Sequence, residues 1–322
     1  MMGCTDRHYR LFLRLISKRV TLFSEMVTAN AVIYGDRDKL IGYGMSEHPL
    51  VLQLGGSDPA AMAEAARIGA EWGYDEININ VGCPSDRVKS GRFGACLMAS
   101  PDTVADCIRS MQVAVNIPVS VKCRIGIDNQ NPEVALRTLV SRVKDMGCKI
   151  FYIHARKAWL NGLSPKENRD IPPLNYDLVY ALKQEHPDLF IAINGGIKSI
   201  DETEQHLDQV DGVMIGREAY HNPYILAEVD QRLYGEETPI SSRDEIIASY
   251  LPYVEAMLAK GWRLNSMTRH ITGLYQSVKG AKRWRRYLSS EVHKPGAGTH
   301  TIVEALAAAT SPAFTDDQAA VE

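Results

Sequence analysis

The stretch PLVLQLGGSDPAAMAEAARIGAEWGYDEININ, residues 49–80, holds two short apolar runs with an amphipathic segment between them. PLVLQLG (49–55) and YDEININ (74–80) read as strands, and PAAMAEAARIGAEWG (59–73) reads as a helix. Pro59 sits where a first helical turn tolerates a missing N–H, and Gly73 sits where a helix stops. A strand, a helix and a second strand at this spacing predict a parallel βα unit.

The unit repeats in both directions. TLFSEM (21–26) precedes it, and PVSVKCR (118–124), KIFYIHA (149–155), LFIAING (189–195) and DGVMIGR (211–217) follow. PDTVADCIRSMQVAV (101–115) and PEVALRTLVSRVKDMG (132–147) supply further helices that open on proline. Seven strands are one fewer than a (β/α)8 barrel needs. The chain opens with MMGCTDRHYRLFLRLISKR, a loop and an amphipathic helix carrying Leu11, Phe12, Leu15 and Ile16. That is a βα unit without its β. The expected fold is α/β, a (β/α)8 TIM barrel whose first strand is truncated and belongs before Met1. The alternative is a doubly wound open sheet, which needs no eighth strand. Alternation ends near GEETPISS (235–242), and helical patterns such as SRDEIIASYLPYVEAMLAKG, NSMTRHITGLYQSVKG and AKRWRRYLSS follow. The expected organisation is a barrel domain over 1–238, a helical domain over 239–310 and a disordered polar tail over 311–322.

Bulk composition excludes more than it assigns. The 322 residues carry 36 basic and 39 acidic side chains, a net charge of −3 that favours no class of partner. Six cysteines, Cys4, Cys83, Cys96, Cys107, Cys123 and Cys148, form no C-x-x-C pair, so a metal centre is not expected, and a chain this long and cysteine-poor is not expected to carry a disulfide framework. With no signal peptide and no apolar run near the ~20 residues that span a bilayer, the protein is expected in the cytoplasm, away from membranes.

Chemistry in such a barrel gathers at the C-terminal strand ends. Those ends read Glu25, Gln53, Asn78 with Asn80, Lys122 with Arg124, His154 with Arg156, Asn194 and Arg217. The loops NGGIKS (194–199) and IGREAY (215–220) offer backbone N–H groups where barrels often hold a phosphate. Lys122 ends a buried strand, which is costly unless it faces an anion or a polar group. An ion pair with Glu25 would be a purely structural answer; a cation beneath a reduced, anionic flavin ring is the functional one.

Taken together, MMGCTDRHYR, EMVTANAV, LQLGGSDP, ININVGCPSDRV, GRFGACLM, VKCRIGI, IHARKAWLNGLSPKENR, INGGIKS and MIGREAYHNP resemble the tRNA-dihydrouridine synthases, and KAWLNGLSPKENRDIPPL resembles their bacterial A-type subgroup. The resemblance implies an FMN-dependent barrel with a helical C-terminal domain, using NADPH to reduce the 5,6 double bond of uridines 20 and 20a in the tRNA D-loop. It designates Cys83 as the acid that protonates carbon 5 opposite the flavin. A thiol of ordinary pKa ~8.5 is protonated at neutral pH yet gives up its proton readily. It also implies that Gln53, Lys122, His154, Asn194, Gly195, Gly196, Gly216 and Arg217 hold FMN. Of the Ala-Pro-Met that opens the family's first strand, only Met1 is present to contact the flavin. No G-x-G-x-x-G marks a resident nicotinamide, so NADPH is expected as a visitor.

A stacked base must be extruded to reach a buried ring, at a cost of a few kcal/mol that binding elsewhere has to offset. Residues 256–290 contain eight Lys or Arg and no acid: Lys260, Arg263, Arg269, Lys279, Lys282, Arg283, Arg285 and Arg286. Trp262, Tyr275, Trp284 and Tyr287 interleave them, a pattern that suits RNA backbone and base stacking. By resemblance Arg283 and Arg286, Lys166 and Arg169, and Asn80 are expected to contact tRNA. A monomer is expected. The rival readings are an FMN barrel that reduces a free pyrimidine and a catalytically impaired RNA-binding protein.

Overall fold

The computed structural model describes residues 1–85, 88 and 90–310, so the tail expected over 311–322 lies outside the described residues. The chain divides into two compact units, Met1–Arg10 with Val20–Gly216, and Leu11–Arg19 with the chain from Arg217 onward. The alternation of strands and helices in the sequence places the change later, at 238/239.

The first unit is built on strands β1 (Leu22–Phe23), β2 (Val27–Thr28), β3 (Leu50–Gly55), β4 (Glu76–Val81), β5 (Val119–Arg124), β6 (Ile150–His154), β7 (Phe190–Asn194) and β8 (Gly212–Met214). Every pairing is parallel, and the strands lie in chain order from β1 to β8, with β2 also pairing β3. A doubly wound sheet reverses its order at a switch point, and this one does not. It also curls. Phe23 on β1 and Tyr152 on β6 have ring centroids 5.0 Å apart. Four strand spacings of ~4.8 Å would hold them roughly 19 Å apart in a flat sheet. The fold is α/β of the TIM-barrel type, followed by C-terminal helices.

The expected strand TLFSEM is broken. Its register steps from Phe23↔Val51 to Val27↔Leu54, one residue more on its own side than on β3, which is a β-bulge. Ser24 fills the gap: its hydroxyl donates to the Glu25 carbonyl at 2.8 Å and accepts from the Gln53 N–H at 2.9 Å.

Helix Pro59–Glu71 opens with Asp58 accepting from the Ala61 N–H at 2.7 Å. It lies hard on the sheet, because a Cβ at Gly69 would come within 2.5 Å of Leu52 Cδ2 and 2.8 Å of Ile77 Cδ1. Leu52, Ile77, Ile79 and Val81 are fully buried on that face. Strand alternation therefore turns Gln53, Glu76, Asn78 and Asn80 to the inside of the barrel. Gly73 and Gly147 end their helices at φ +95° and +94°, as their positions in the sequence predict.

The second unit contains helices Arg217–His221, Val229–Tyr234, Arg243–Ala259, Leu264–Thr268, Ala281–Glu291 and Thr299–Thr310. The helix expected over NSMTRHITGLYQSVKG is only Leu264–Thr268, with turns beyond it. There the chain passes so close to His221 that a Cβ at Gly273 would sit 2.3 Å from its carbonyl oxygen. Trp284 and Tyr275 are core residues and not a stacking platform. Trp284 is fully buried, its ring 5.0 Å from that of Tyr275 and its Nε1–H donating to the Ile271 carbonyl at 3.0 Å. Among the described residues no helix is long and apolar enough to cross a membrane.

Candidate active site

β4 ends at Val81, and the next turn presents Cys83. Asn80 builds that turn: its carboxamide oxygen accepts from the Gly82 N–H at 3.0 Å and the Cys83 N–H at 2.9 Å. The far side is tied by the Ala95 N–H, which donates to the Cys83 carbonyl at 2.9 Å. Cys83 is half-buried, and its thiol donates to Ser85 Oγ at 3.5 Å. The deep cysteines differ. Burial pushes the thiols of Cys107, Cys123 and Cys148 up to about 12.

Two cations stand beside this turn, close enough for charge on Cys83 to act on both. Lys122 pairs in register with Asn80, and its ammonium donates to Asn194 Oδ1 at 3.3 Å. The structural alternative of a Glu25 partner is not what forms; Glu25 accepts instead from the Cys4 N–H at 3.0 Å. Burial, and then the charge of Arg124, push the Lys122 ammonium down to about 8. Arg124 is a strand-end residue to which sequence reasoning assigns no role. Its guanidinium donates to the carbonyls of Gly82 at 3.1 Å, Lys157 at 2.9 Å and Asn168 at 2.8 Å. Burial, with Arg169 and Arg156 nearby, pushes it down to about 10.

His154 and Asn194 are register neighbours at the ends of β6 and β7. Asn194 donates to the Met214 carbonyl at 2.6 Å, joining β7 to β8. Gly195 follows at φ +118°, where a Cβ would lie 2.9 Å from His154 Cδ2, and Gly196 at φ +79°, where one would lie 2.7 Å from Leu174 Cδ1. Tyr176 holds the loop by donating to the Gly195 carbonyl at 2.5 Å. At Gly216 a Cβ would meet nothing nearer than Asn194 Nδ2 at 3.9 Å. Half-buried Met1 donates from its amino group to Thr5 Oγ1 at 2.8 Å, and that group feels the charges of Glu25 and Lys122.

Gln53 is enmeshed in the sheet. Its carboxamide accepts from Asn80 Nδ2 at 2.8 Å and donates to Asn78 Oδ1 at 2.9 Å. Asn80, expected to meet RNA, thus spends three hydrogen bonds on holding the Cys83 turn and Gln53. Polar residues at 76, 78 and 80 alternate with apolar ones, which is the available signal for this inner polar row.

Lys166 and Arg169 are exposed on a loop pinned by buried Asn168, whose carboxamide donates to the Trp159 carbonyl and accepts from the Trp159 N–H at 2.8 and 2.7 Å. In the second unit Arg217 opens its helix. Arg283 is half-buried and donates to the carbonyls of Ala308 and Ala309 at 2.9 and 3.2 Å, capping the helix Thr299–Thr310. Arg286 is exposed, as are Lys260, Arg263, Arg269, Lys279, Lys282 and Arg285.

The chain matches the model of the family described as dihydrouridine synthase (Dus) over residues 1–311. It is 54% identical over 308 residues to the tRNA-dihydrouridine(20/20a) synthase of Vibrio cholerae, covering 95% of this chain and 94% of that protein. Proteins of the same name from Shewanella oneidensis and Synechocystis are 56% and 54% identical, over 94% and 97% of this chain and 90% and 93% of theirs. A parallel barrel with a cysteine turn at its strand ends, matched along nearly all its length, belongs to the dihydrouridine synthase family.

Proposed function

We propose that this chain is a flavin-dependent oxidoreductase that reduces uridine to 5,6-dihydrouridine at positions 20 and 20a of the tRNA D-loop, with FMN bound and NADPH as reductant. The observation that carries the reading is the Cys83 turn, held between Asn80 and Arg124 at the same strand ends as Lys122 and the Asn194–Gly196 loop. The names of its relatives supply the positions.

The residues fit a flavin phosphate and ring. Lys122 is an ammonium pressed toward neutrality by burial, forming no ion pair among the described residues, so an anionic neighbour would restore its charge. Gly195 and Gly196 hold a backbone that only glycine adopts without strain, leaving N–H groups open where a side chain would otherwise intrude. His154 lies against that loop, and Gly216 leaves open space beside it. When bound, reduced FMN supplies the hydride that carbon 6 of the base receives. Cys83 gives its Sγ proton to carbon 5, completing addition of one hydride and one proton across the double bond. Lys122 and Arg124 offset the negative charge left on sulfur, and solvent returns the proton to this half-buried thiol.

The exposed cations from Lys260 to Arg286 are assigned to the tRNA backbone, with Lys166 and Arg169 reaching it from the barrel loop and Arg217 assigned to FMN. Arg283 serves a helix end, worth about 0.3–1 kcal/mol, so its removal mixes stability with binding. Arg286→Ala is the cleaner variant. It is expected to lower the slope of log binding constant against log salt by about 0.7–0.9 while NADPH oxidation is unchanged. An unaltered slope would make this arginine a solvated surface residue.

The reading itself is tested by mapping dihydrouridine in tRNA from a strain lacking the gene. Loss at positions 20 and 20a, restored by the wild-type gene, is the expected result. Modified uridines persisting there, or turnover of free pyrimidines undiminished in the absence of tRNA, would overturn it.

A further inference from the structure

Below the cysteine turn, a single file of hydrogen bonds crosses the inside of the barrel. The Gly82 and Cys83 N–H groups donate to Asn80 Oδ1 at 3.0 and 2.9 Å, and Asn80 Nδ2 donates to Gln53 Oε1 at 2.8 Å. Gln53 Nε2 donates to Asn78 Oδ1 at 2.9 Å, and Asn78 Nδ2 donates to Ser120 Oγ at 2.7 Å. The Ser120 hydroxyl donates to Glu76 Oε1, and Tyr152 Oη donates to Glu76 Oε2 at 3.2 Å.

Both ends of this file are fixed in sense. A backbone N–H can only donate, and at the other end Glu76 accepts from two hydroxyls. Each carboxamide between them therefore has one orientation that satisfies the file. Turning Asn80 or Gln53 over would set donor against donor on one side and acceptor against acceptor on the other; turning Asn78 over would set donor against donor at Gln53 and draw the Ser120 proton away from Glu76. The register Gln53↔Asn78↔Ser120 sets the middle links side by side on adjacent strands. Asn78 and Ser120 are fully buried, and Gln53 and Asn80 are 7% and 8% exposed, so water has little room to repair a broken link. Hydrogen bonds arranged head to tail also polarise one another.

Glu76 is otherwise hard to explain. It lies at the opposite end of β4 from the cysteine turn, and burial raises its carboxyl although two hydroxyls donate to it. Among the described residues no cation pairs with this half-buried carboxyl, and its partners are the hydroxyls of Ser120 and Tyr152.

We propose that Glu76 is a positioning residue for Cys83, setting through Ser120, Asn78 and Gln53 the orientation of the Asn80 carboxamide that caps the cysteine turn. The inference rests on the proposed role of Cys83 for its effect on turnover, but its structural content is independent of that role.

The test compares Glu76→Leu, Glu76→Gln and Ser120→Ala in the full-length protein, measuring amide hydrogen exchange at Gly82 and Cys83. It also measures kcat and KM for tRNA. Glu76→Leu and Ser120→Ala remove the acceptor end or its link, and each is expected to speed exchange at the two amides by about tenfold, the size of one lost hydrogen bond. Both are expected to lower kcat for tRNA by about tenfold or more with KM within about twofold. Glu76→Gln can still accept through its carbonyl oxygen and is expected to keep exchange and kcat close to wild type. Unchanged exchange in Ser120→Ala, or exchange in Glu76→Gln as fast as in Glu76→Leu, would overturn the proposal. So would slow turnover arising from KM alone. If Glu76→Leu does not fold, Ser120→Ala and Glu76→Gln decide the matter between them. Failure of the wild-type protein to reduce tRNA would count against the functional reading, while amide exchange would still judge the relay.

Discussion

Cys83→Ala is expected to retain its flavin and its NADPH-driven flavin reduction while losing tRNA reduction by a factor of about 10²–10⁴, the range typical of a removed general acid. The expectation follows from how the site divides its labour. The thiol meets its own turn and Ser85, and no residue assigned to the flavin donates to it or accepts from it. The turn is held by backbone N–H and carbonyl groups that alanine keeps, so the substitution removes the thiol and little else. Cys107, Cys123 and Cys148 are buried with raised pKa, so none of these three is a ready substitute at this turn. Stopped-flow measurement of flavin bleaching by NADPH, then of recolouring by tRNA, separates the two half-reactions. An equal loss in both would make Cys83 a structural residue, and full retention of both would remove it from the reaction.

The second large effect is expected at the glycine loop. Gly195→Ala places a Cβ at 2.9 Å from His154 Cδ2, on a backbone at φ +118° that side chains rarely adopt. Strain of about 1–3 kcal/mol and displacement of His154 should together lower flavin affinity by about 10–100-fold or more, and lower the melting temperature as well. Gly216→Ala provides the contrast, because the protein leaves space there. That variant should melt like the wild type yet hold flavin more weakly, if the bound group comes up against the Gly216 backbone. Absorbance of the purified variants near the flavin band, with thermal melts of the same samples, reads both quantities. Wild-type flavin content in Gly195→Ala would show that this loop is not the phosphate cradle.

Much of this arrangement is legible in the amino-acid sequence. Strand positions follow from apolar runs between helices, and Pro59, Pro101, Pro132, Gly73 and Gly147 mark helix ends where they are expected. Local rules carry such features, since one residue's φ or missing N–H decides each. The bulge at Ser24 is not legible, because it depends on the partner strand's register. Trp284 reads as an RNA platform only because basic residues surround it; Ala281, Trp284 and Leu288 fall on one apolar stripe that faces the core instead. Arg283 looks like a free cation in sequence because the carbonyls it caps come from another helix. Cys83 and Lys122 can be named from sequence, but the roles of Arg124 and Glu76 cannot, as their partners lie on other segments.

Arg124 joins three stretches of chain that would otherwise wander separately: the cysteine turn, the segment after β6 and the loop around Asn168. Each would lose conformational freedom if it had to be ordered when a large, mobile ligand arrived, and side-chain and loop ordering costs about 0.5–1.5 kcal/mol per immobilised group on association. Tied to one buried guanidinium, they give up that freedom when the protein folds. If the loop bearing Lys166 and Arg169 and the turn bearing the thiol meet RNA as proposed, they do so already set in mutual register, and binding energy from the polyanion remains available for unstacking its base.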